Sequence, residues 1–304
     1  MWTTALLSAT FSFLYQYADM VTLLLLSAAG LTIIFGMMGI INMAHGELML
    51  IGAYSASVAY YAGVPLAVAI LVGALMSGIF GIILERLVIR RFYGQLLSSL
   101  VVTWGLSLVL SQGFLVIVGP SVRSLPTPFG NFTLGGYTYS YYRLAMLSIA
   151  ALIVFGVWTL FRVTRFGVEA RATIEKPEIA RALGVHVDRI YMLTFGLGSA
   201  LAGIAGGLFA LQAPIEPTFG QHYTPIAFIT VVVGGEDMIG GLIGSALSLA
   251  GIGTLFTSQF NILIGYLAIL SAAFVLIRFR PGGVSELLDL IRRSRFRDKT
   301  GEQS

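Results

Sequence analysis

The chain contains no cysteine, which excludes disulfides, thiolate-held zinc and thiol nucleophiles. Lysine is nearly as scarce. Lys176 and Lys299 are the only two, and neither follows a G-x-x-x-x-G loop. Without that Walker A pattern the chain has no sequence device for cradling nucleotide phosphates. A G-x-S-x-G elbow and an H-E-x-x-H pair are also missing, so the signatures of a serine hydrolase or a zinc peptidase are absent. Charge is the third shortage: 11% of the 304 residues are charged, against about 25% in a soluble domain. A surface so poor in charge cannot be solvated by water.

What the chain has instead is apolar length. Hydrophobic residues make up 57%, and the mean hydropathy is +0.89. Val21–Ala44, Leu48–Leu84, Phe92–Val122 and Met238–Ile277 carry no charged side chain. Runs of about 20 apolar residues cross a bilayer core of about 30 Å as helices. In lipid only helices and closed barrels satisfy every backbone polar group, and these runs lack the alternation of barrel strands. The expected fold is all-α, a polytopic helical membrane protein of eight or nine transmembrane or re-entrant elements.

The net charge of +4 does not point to nucleic acid, because of where the charges sit. Sixteen of the eighteen Lys and Arg residues fall in Arg86–Arg91, Arg162–Arg189 and Arg278–Lys299; Arg123 and Arg143 are the exceptions. Such clustering is the positive-inside signature. With those clusters cytoplasmic, parity requires Val21–Ala44, Leu48–Tyr61, Pro65–Leu84, Leu96–Val118, Leu144–Phe161, Ile190–Leu211, Tyr223–Gly235, Leu242–Phe256 and Ile262–Ile277. Leu48–Tyr61 and Tyr223–Gly235 are short for full spans. The N-terminus is then outside and the C-terminus inside. The organisation expected is an extracytoplasmic segment 1–20, a transmembrane domain 21–283 with a cytoplasmic loop at 162–189, and a basic cytoplasmic tail 284–304. Tyr137, Tyr139, Tyr141 and Tyr142 suit an interfacial belt. The first eighteen residues lack a basic n-region, so a cleaved signal peptide is not expected.

Polar residues inside this apolar frame ask for a role. GMMGIINMAHGELMLIGAY sets His45 and Glu47 between hydrocarbon-like stretches, with Gly36, Gly39 and Gly46 loosening the backbone where a helix must break. Ionisable residues at membrane depth face a bundle interior or a cavity; the other reading is a connector at headgroup level. VVVGGEDMIGGLIG, with Glu236 and Asp237, is a second Gly-interrupted segment, and paired interruptions point to a transporter's central pathway; a plain turn between helices is the alternative. In TFGLGSALAGIAGG, Gly198, Ala202 and Gly206 recur every four residues, with Ser199, Gly203 and Gly207 beside them. Small residues at that spacing let membrane helices pack closely.

The loop TIEKPEIARALGVHVDR encodes a short helix. Pro177 suits its first position, Glu178 its positive end, and Gly184 its stop. Ile179, Ala180 and Leu183 are expected on one apolar face. So short a helix is marginal alone and needs something to dock against, either the membrane surface or a cytoplasmic partner.

At these residues the sequence resembles the permease subunits of bacterial ABC importers for branched-chain amino acids, the LivH-like family. GLTIIFGMMGIINMAHGELMLIGAY is similar to the family's N-terminal hallmark, and TRFGVEARATIEKPEIARALGV to its coupling loop, with the likeness running from about Val21 to Gly283. INMAHGELMLIGAY, VTWGLSL and TFGLGSALAGIAG also resemble the branch importing urea and short amides. The resemblance implies a second homologous permease, two cytoplasmic ATPase subunits that carry ATP and Mg, a periplasmic solute-binding protein, and residence in the inner membrane. It implies no cofactor or metal on this chain. Glu178, Ile179, Ala180, Leu183 and Gly184 would couple to an ATPase, and Asn42, His45, Glu47 and Thr103 are expected near the solute path. A secondary carrier using His45 and Glu47 for proton coupling is the competing function. An intramembrane enzyme is disfavoured because the crossing count puts His186 and His222 on opposite sides.

Overall fold

The computed structural model describes residues 2–235, 237–279 and 283–284. Glu236 and the basic tail beyond Val284 lie outside the described residues. In chain order the elements are α1 (Trp2–Met38), α2 (His45–Tyr61), α3 (Leu66–Leu87), a 3-10 turn (Ile89–Phe92), α4 (Leu96–Ile117), β1 (Asn131–Leu134), β2 (Tyr137–Ser140), α5 (Tyr141–Val163), α6 (Arg165–Glu175), α7 (Pro177–Ala182), α8 (Val187–Phe209), α9 (Phe219–Gly234), α10 (Met238–Gln259) and α11 (Ile262–Phe279). Among the described residues, seven helices are long and apolar enough to cross a membrane: α1 from Leu7, and α3, α4, α5, α8, α10 and α11. The two short elements read from the sequence are α2 and α9, of 17 and 16 residues. At 1.5 Å per residue each is about 25 Å long, less than a hydrocarbon core of about 30 Å.

The first helix departs from expectation. It begins at Trp2 and is helical for 37 residues, so the described part of 1–20 is helix and not a non-helical lead-in. The charge of Asp19 is accommodated within the helix and does not end it.

The chain divides into two compact units, Leu26–Ala227 and Met1–Leu25 with Phe228–Ser304. In the larger unit, α2, α3 and α8 pack most extensively on one another. Their small residues explain why. A Cβ on Gly203 of α8 would lie 2.7 Å from the Ser77 Cβ and 2.8 Å from the Gly73 carbonyl oxygen. A Cβ on Gly206 would overlap the Met49 carbonyl of α2, and one on Gly52 would overlap the Gly203 backbone. The two small-residue stripes of α8 face different neighbours. Gly198 sits against Gly30 and Ile34 of α1 and Gly206 against α2, with Ala202 fully buried between them. Ser199 and Gly203 meet Gly81, Ser77 and Gly73 of α3. The Ser77 hydroxyl lies 2.9 Å from the Leu48 carbonyl and 2.8 Å from the Ser199 carbonyl, touching all three helices. Close approach replaces the hydrophobic drive that lipid cannot supply.

In the smaller unit α10 packs against α11, with Gly253 against Ile269. The Tyr17 hydroxyl donates to the Leu247 carbonyl at 3.1 Å. Asp237 caps α10, accepting from Gly240 N at 3.2 Å, a structural task that accounts for the carboxylate.

The connector between α4 and α5 holds a hairpin, β1–β2, in which Leu134 pairs with Tyr137. Its turn is Gly135-Gly136, at φ 61° and 85°, as a two-residue type I′ loop requires. This pairing corrects the aromatic belt. Tyr137 and Tyr141 are exposed, but Tyr139 and Tyr142 are buried, and the Tyr142 hydroxyl donates to the Leu208 carbonyl at 2.8 Å. Tyr139 shares a face of β2 with Tyr137 but packs on Phe132 of β1, ring centroids 5.4 Å apart, and the α5 start turns Tyr142 inward.

A Gly203→Val substitution should drive α3 and α8 apart, at a cost of about 3 kcal/mol or more. We expect a lowered thermal midpoint and loss of monodisperse protein in detergent. Gly105→Ala, in α4 where a Cβ meets nothing within 4 Å, should leave both unchanged.

Candidate functional site

The chain stops being helical at Met38 and resumes at His45. Gly39, at φ 60°, ends α1 in a left-handed conformation that a side chain would resist. Asn42 then turns the backbone: its Oδ1 accepts from Ala44 N at 3.1 Å, the short-range bond that asparagine makes in turns. Apart from exposed Gly39 and half-buried Met43, the break is buried. Ile40, Asn42, Ala44 and His45 are each at most 1% exposed.

Buried non-helical backbone must find partners within the protein, and α4 provides them. Ser99, Thr103, Ser107 and Ser111 recur every four residues on one face, all buried. The opposite face presents Leu97, Val101, Trp104 and Val116 outward. Ser99 Oγ accepts from Ile41 N at 3.3 Å. Thr103 Oγ1 accepts from Met43 N at 3.0 Å and lies 3.1 Å from the Ile41 carbonyl. Ser107 Oγ donates to Glu47 Oε1 at 2.7 Å. Three successive hydroxyls thus follow the break from one end to the other. Thr103 was legible as a polar residue in an apolar run; Ser99, Ser107 and Ser111 were missed, although S-x-x-x-T-x-x-x-S-x-x-x-S was there to be read.

His45 turns the other way. Its Nε2 lies 2.9 Å from the Ser27 carbonyl of α1. A carbonyl only accepts, so Nε2 carries the proton and Nδ1 is left as an acceptor. Gly46 permits a second close approach: a Cβ there would overlap the Gly220 carbonyl and Thr224 of α9. The first break is therefore backed by the start of α9. Asn42 Nδ2, His45 Nδ1 and Glu47 Oε2 are buried without a hydrogen-bond partner. They offer two donor hydrogens and two acceptors along six residues, a set suited to a small polar solute or water. Among the described residues no three His, Cys, Asp or Glu side chains gather to hold a metal.

The second feature lies in the basic loop. Thr164 caps α6, accepting from Gly167 N at 3.2 Å. After Lys176, Pro177 opens α7. Gly184, at φ 89°, ends it, with Gly184 N donating to the Arg181 carbonyl and Val185 N to the Ala180 carbonyl, each at 3.0 Å. This is the Schellman arrangement. The expected single apolar face is corrected: Ile179 and Leu183 are 52% and 79% exposed, while Ala180 is buried. Ala180 points back at the protein because it lies one residue round the helix from Ile179. Two exposed aliphatic side chains four residues apart form a knob, flanked by Glu178.

The knob is tied to the bundle. Asp188, in the first turn of α8, pairs with Arg90 of the 3-10 turn and lies 3.5 Å from Arg181 of α7. The Tyr93 hydroxyl donates to Glu85, and its ring centroid is 4.7 Å from that of Tyr191. Burial pushes the Tyr93 phenol well above its ordinary range, and the bond to Glu85 adds to the effect, so it remains a donor. Exposed ion pairs are worth about 1 kcal/mol or less; these fix geometry more than stability.

Within the larger unit, a polar backbone break is buried among helices of membrane-spanning length. The chain belongs to the family of permease components of branched-chain amino acid transport systems, whose pattern matches residues 13–278. It is 28% identical over 281 residues to the high-affinity branched-chain amino acid permease protein BraD of Pseudomonas aeruginosa, covering 85% of this chain and 90% of that one. It is 31% identical over 256 residues to LivH of Escherichia coli K12, covering 76% and 83%. The ribose import permease RbsC of the same organism is 27% identical over 221 residues, covering 70% and 66%. No solved structure matches. The chain is accordingly a multi-pass protein of the inner membrane.

Ser107→Ala should remove the side-chain donor to buried Glu47, and Thr103→Val should orphan Met43 N. Each is expected to lower stability by about 1–3 kcal/mol, read as chemical unfolding in detergent. Ser111→Ala, which loses a bond only to its own helix's Leu108 carbonyl, should change it little.

Proposed function

We propose that this chain is the membrane-spanning subunit of an ATP-driven importer of branched-chain amino acids. The observation that carries the reading is the exposed Ile179–Leu183 knob, held on a two-residue-capped helix and linked through Arg181 and Asp188 to α8. An exposed aliphatic pair beside charged residues is a surface made for a protein partner. In this reading Glu178, Ile179, Leu183 and Gly184 seat α7 in an ATPase subunit, Ala180 anchors it from behind, and ATP with Mg binds on the ATPase. Two such subunits, a second homologous permease and a solute-binding protein complete the assembly. α8 carries the movement inward, because its small-residue stripes lock it to α2 and α3.

Solute passes next to the break. Asn42, His45, Glu47 and Thr103 lie along it, buried within the chain, and the unpartnered atoms of the first three are what a zwitterion's ammonium and carboxylate would meet as the break shifts. Partner ATPases can drive that shift only by binding one arrangement better than the other. Branched-chain amino acids are favoured as solute over urea or short amides by what the BraD and LivH relatives are named for.

Ile179→Asp with Leu183→Asp should abolish co-purification of the ATPase subunits and uptake of radiolabelled leucine, while the chain still inserts and purifies intact. Robust leucine uptake by the chain alone, collapsed by a protonophore, would instead establish a secondary carrier. Uptake of urea but not leucine by the complete assembly would overturn the solute assignment.

A further inference from the structure

Beside α7 and its Gly184 stop lies a cavity of about 630 Å3 whose lining includes Arg86, Arg90, Arg181 and Arg189. Asp188 is the carboxylate among the lining residues, and it is already engaged by Arg90 and Arg181. Even with Glu85 counted beside Arg86, guanidiniums outnumber carboxylates four to two, and the Glu85 side chain is buried and bonded to Tyr93. Arg86 and Arg189 make no ion pair among the described residues. The cavity therefore has a surplus of positive charge with donors to spare, and its ligand is an anion.

Its level in the membrane narrows the choice. Arg86 is in the last turn of α3, and Arg189 is in the first turn of α8. Both helices are of membrane-spanning length, so the cavity opens where the hydrocarbon core gives way to headgroups. Along α3, Leu71, Leu75, Ile79, Ile83 and Leu87 recur every four residues, each between 44% and 63% exposed. This apolar row runs the length of the helix and ends beside Arg86 and Arg90. Phosphate chemistry is what a guanidinium fork suits best. Inorganic phosphate would use the arginines and leave the row without purpose; an acidic protein segment would do the same. A lipid uses both.

We propose that this pocket holds the phosphodiester headgroup of an anionic phospholipid, with an acyl chain lying along the α3 row. Arg86 and Arg189 grip the phosphate, and Arg90 is shared between it and Asp188. The lipid then bridges the end of α3 to the start of α8, next to the segment that carries the knob. Basic pockets between transmembrane helices bind anionic headgroups in this way. The inference requires only that the chain lie in a membrane; it stands whether or not the transport reading does.

The test uses the full chain in nanodiscs of phosphatidylcholine with a minority of phosphatidylglycerol, with native mass spectrometry counting the lipid retained after detergent extraction. Wild type should retain phosphatidylglycerol in preference to phosphatidylcholine. Arg86→Gln and Arg189→Gln should each weaken retention about fivefold, while Arg143→Gln, in α5, leaves it unaltered. The singles are read separately, so a misfolded double variant does not matter. Equal retention of both lipids, or no loss in either pocket variant, would overturn the proposal. Displacement of the lipid by inorganic phosphate at comparable concentration would assign the site to a free anion instead. Loss of the lipid whenever an ATPase subunit is added to the chain would assign it to an acidic partner surface.

Discussion

In a bilayer there is no water to take up an unpaired backbone N–H or C=O, so a helix can be interrupted only where the protein supplies every lost partner. The interval between Met38 and His45 is such an interruption, and much of the rest of the larger unit is arranged around it. Gly39 reverses the chain, Asn42 folds it on itself, and the serine and threonine hydroxyls of α4 receive the freed groups of Ile41 and Met43. Ser107 continues the series to Glu47. A helix that otherwise shows leucine, valine and tryptophan outward is thereby held on the bundle by one polar face.

The break makes α2 short, and a short helix must be surrounded by others. The density of glycine, alanine and serine on α2, α3 and α8 meets that need by contact between backbones. The same contacts make α8 stiffly continuous with the interior: its first turn holds Asp188 and the basic loop, while its middle is locked against α1, α2 and α3. The network at the base of α8 has two roles at once, since Arg90, Arg181 and Asp188 both position the knob and wall the basic cavity.

Much of this was legible in the residues. Nine apolar segments read from the chain correspond to α1–α5 and α8–α11, because uncharged length is nearly sufficient to specify a membrane helix. The break announced itself through His45, Glu47 and their glycines, and α7 through Pro177 and Gly184. Other features were hidden for physical reasons. Serine in a membrane helix can satisfy itself on its own carbonyls, as Ser111 does, so nothing local marked Ser99 and Ser107 as partners of a distant segment. Ala180 could not be told from Ile179 and Leu183 by hydrophobicity, only by where the rest of the protein lies. The extra length of α1 was not read because the uncharged run was counted only from Val21, after Asp19, whereas the helix runs from Trp2 through Asp19.

The order of residues by itself determined that this is a helical membrane protein, where its helices run, and where one of them must break, because hydropathy and backbone chemistry act over short stretches of chain. The tertiary structure alone decided which hydroxyls answer the break, which stripe of α8 meets which neighbour, and which arginines share a cavity. Those pairings join residues far apart in the chain, such as Arg90 with Asp188 and Gly30 with Gly198, and they exist only once the helices have chosen their partners.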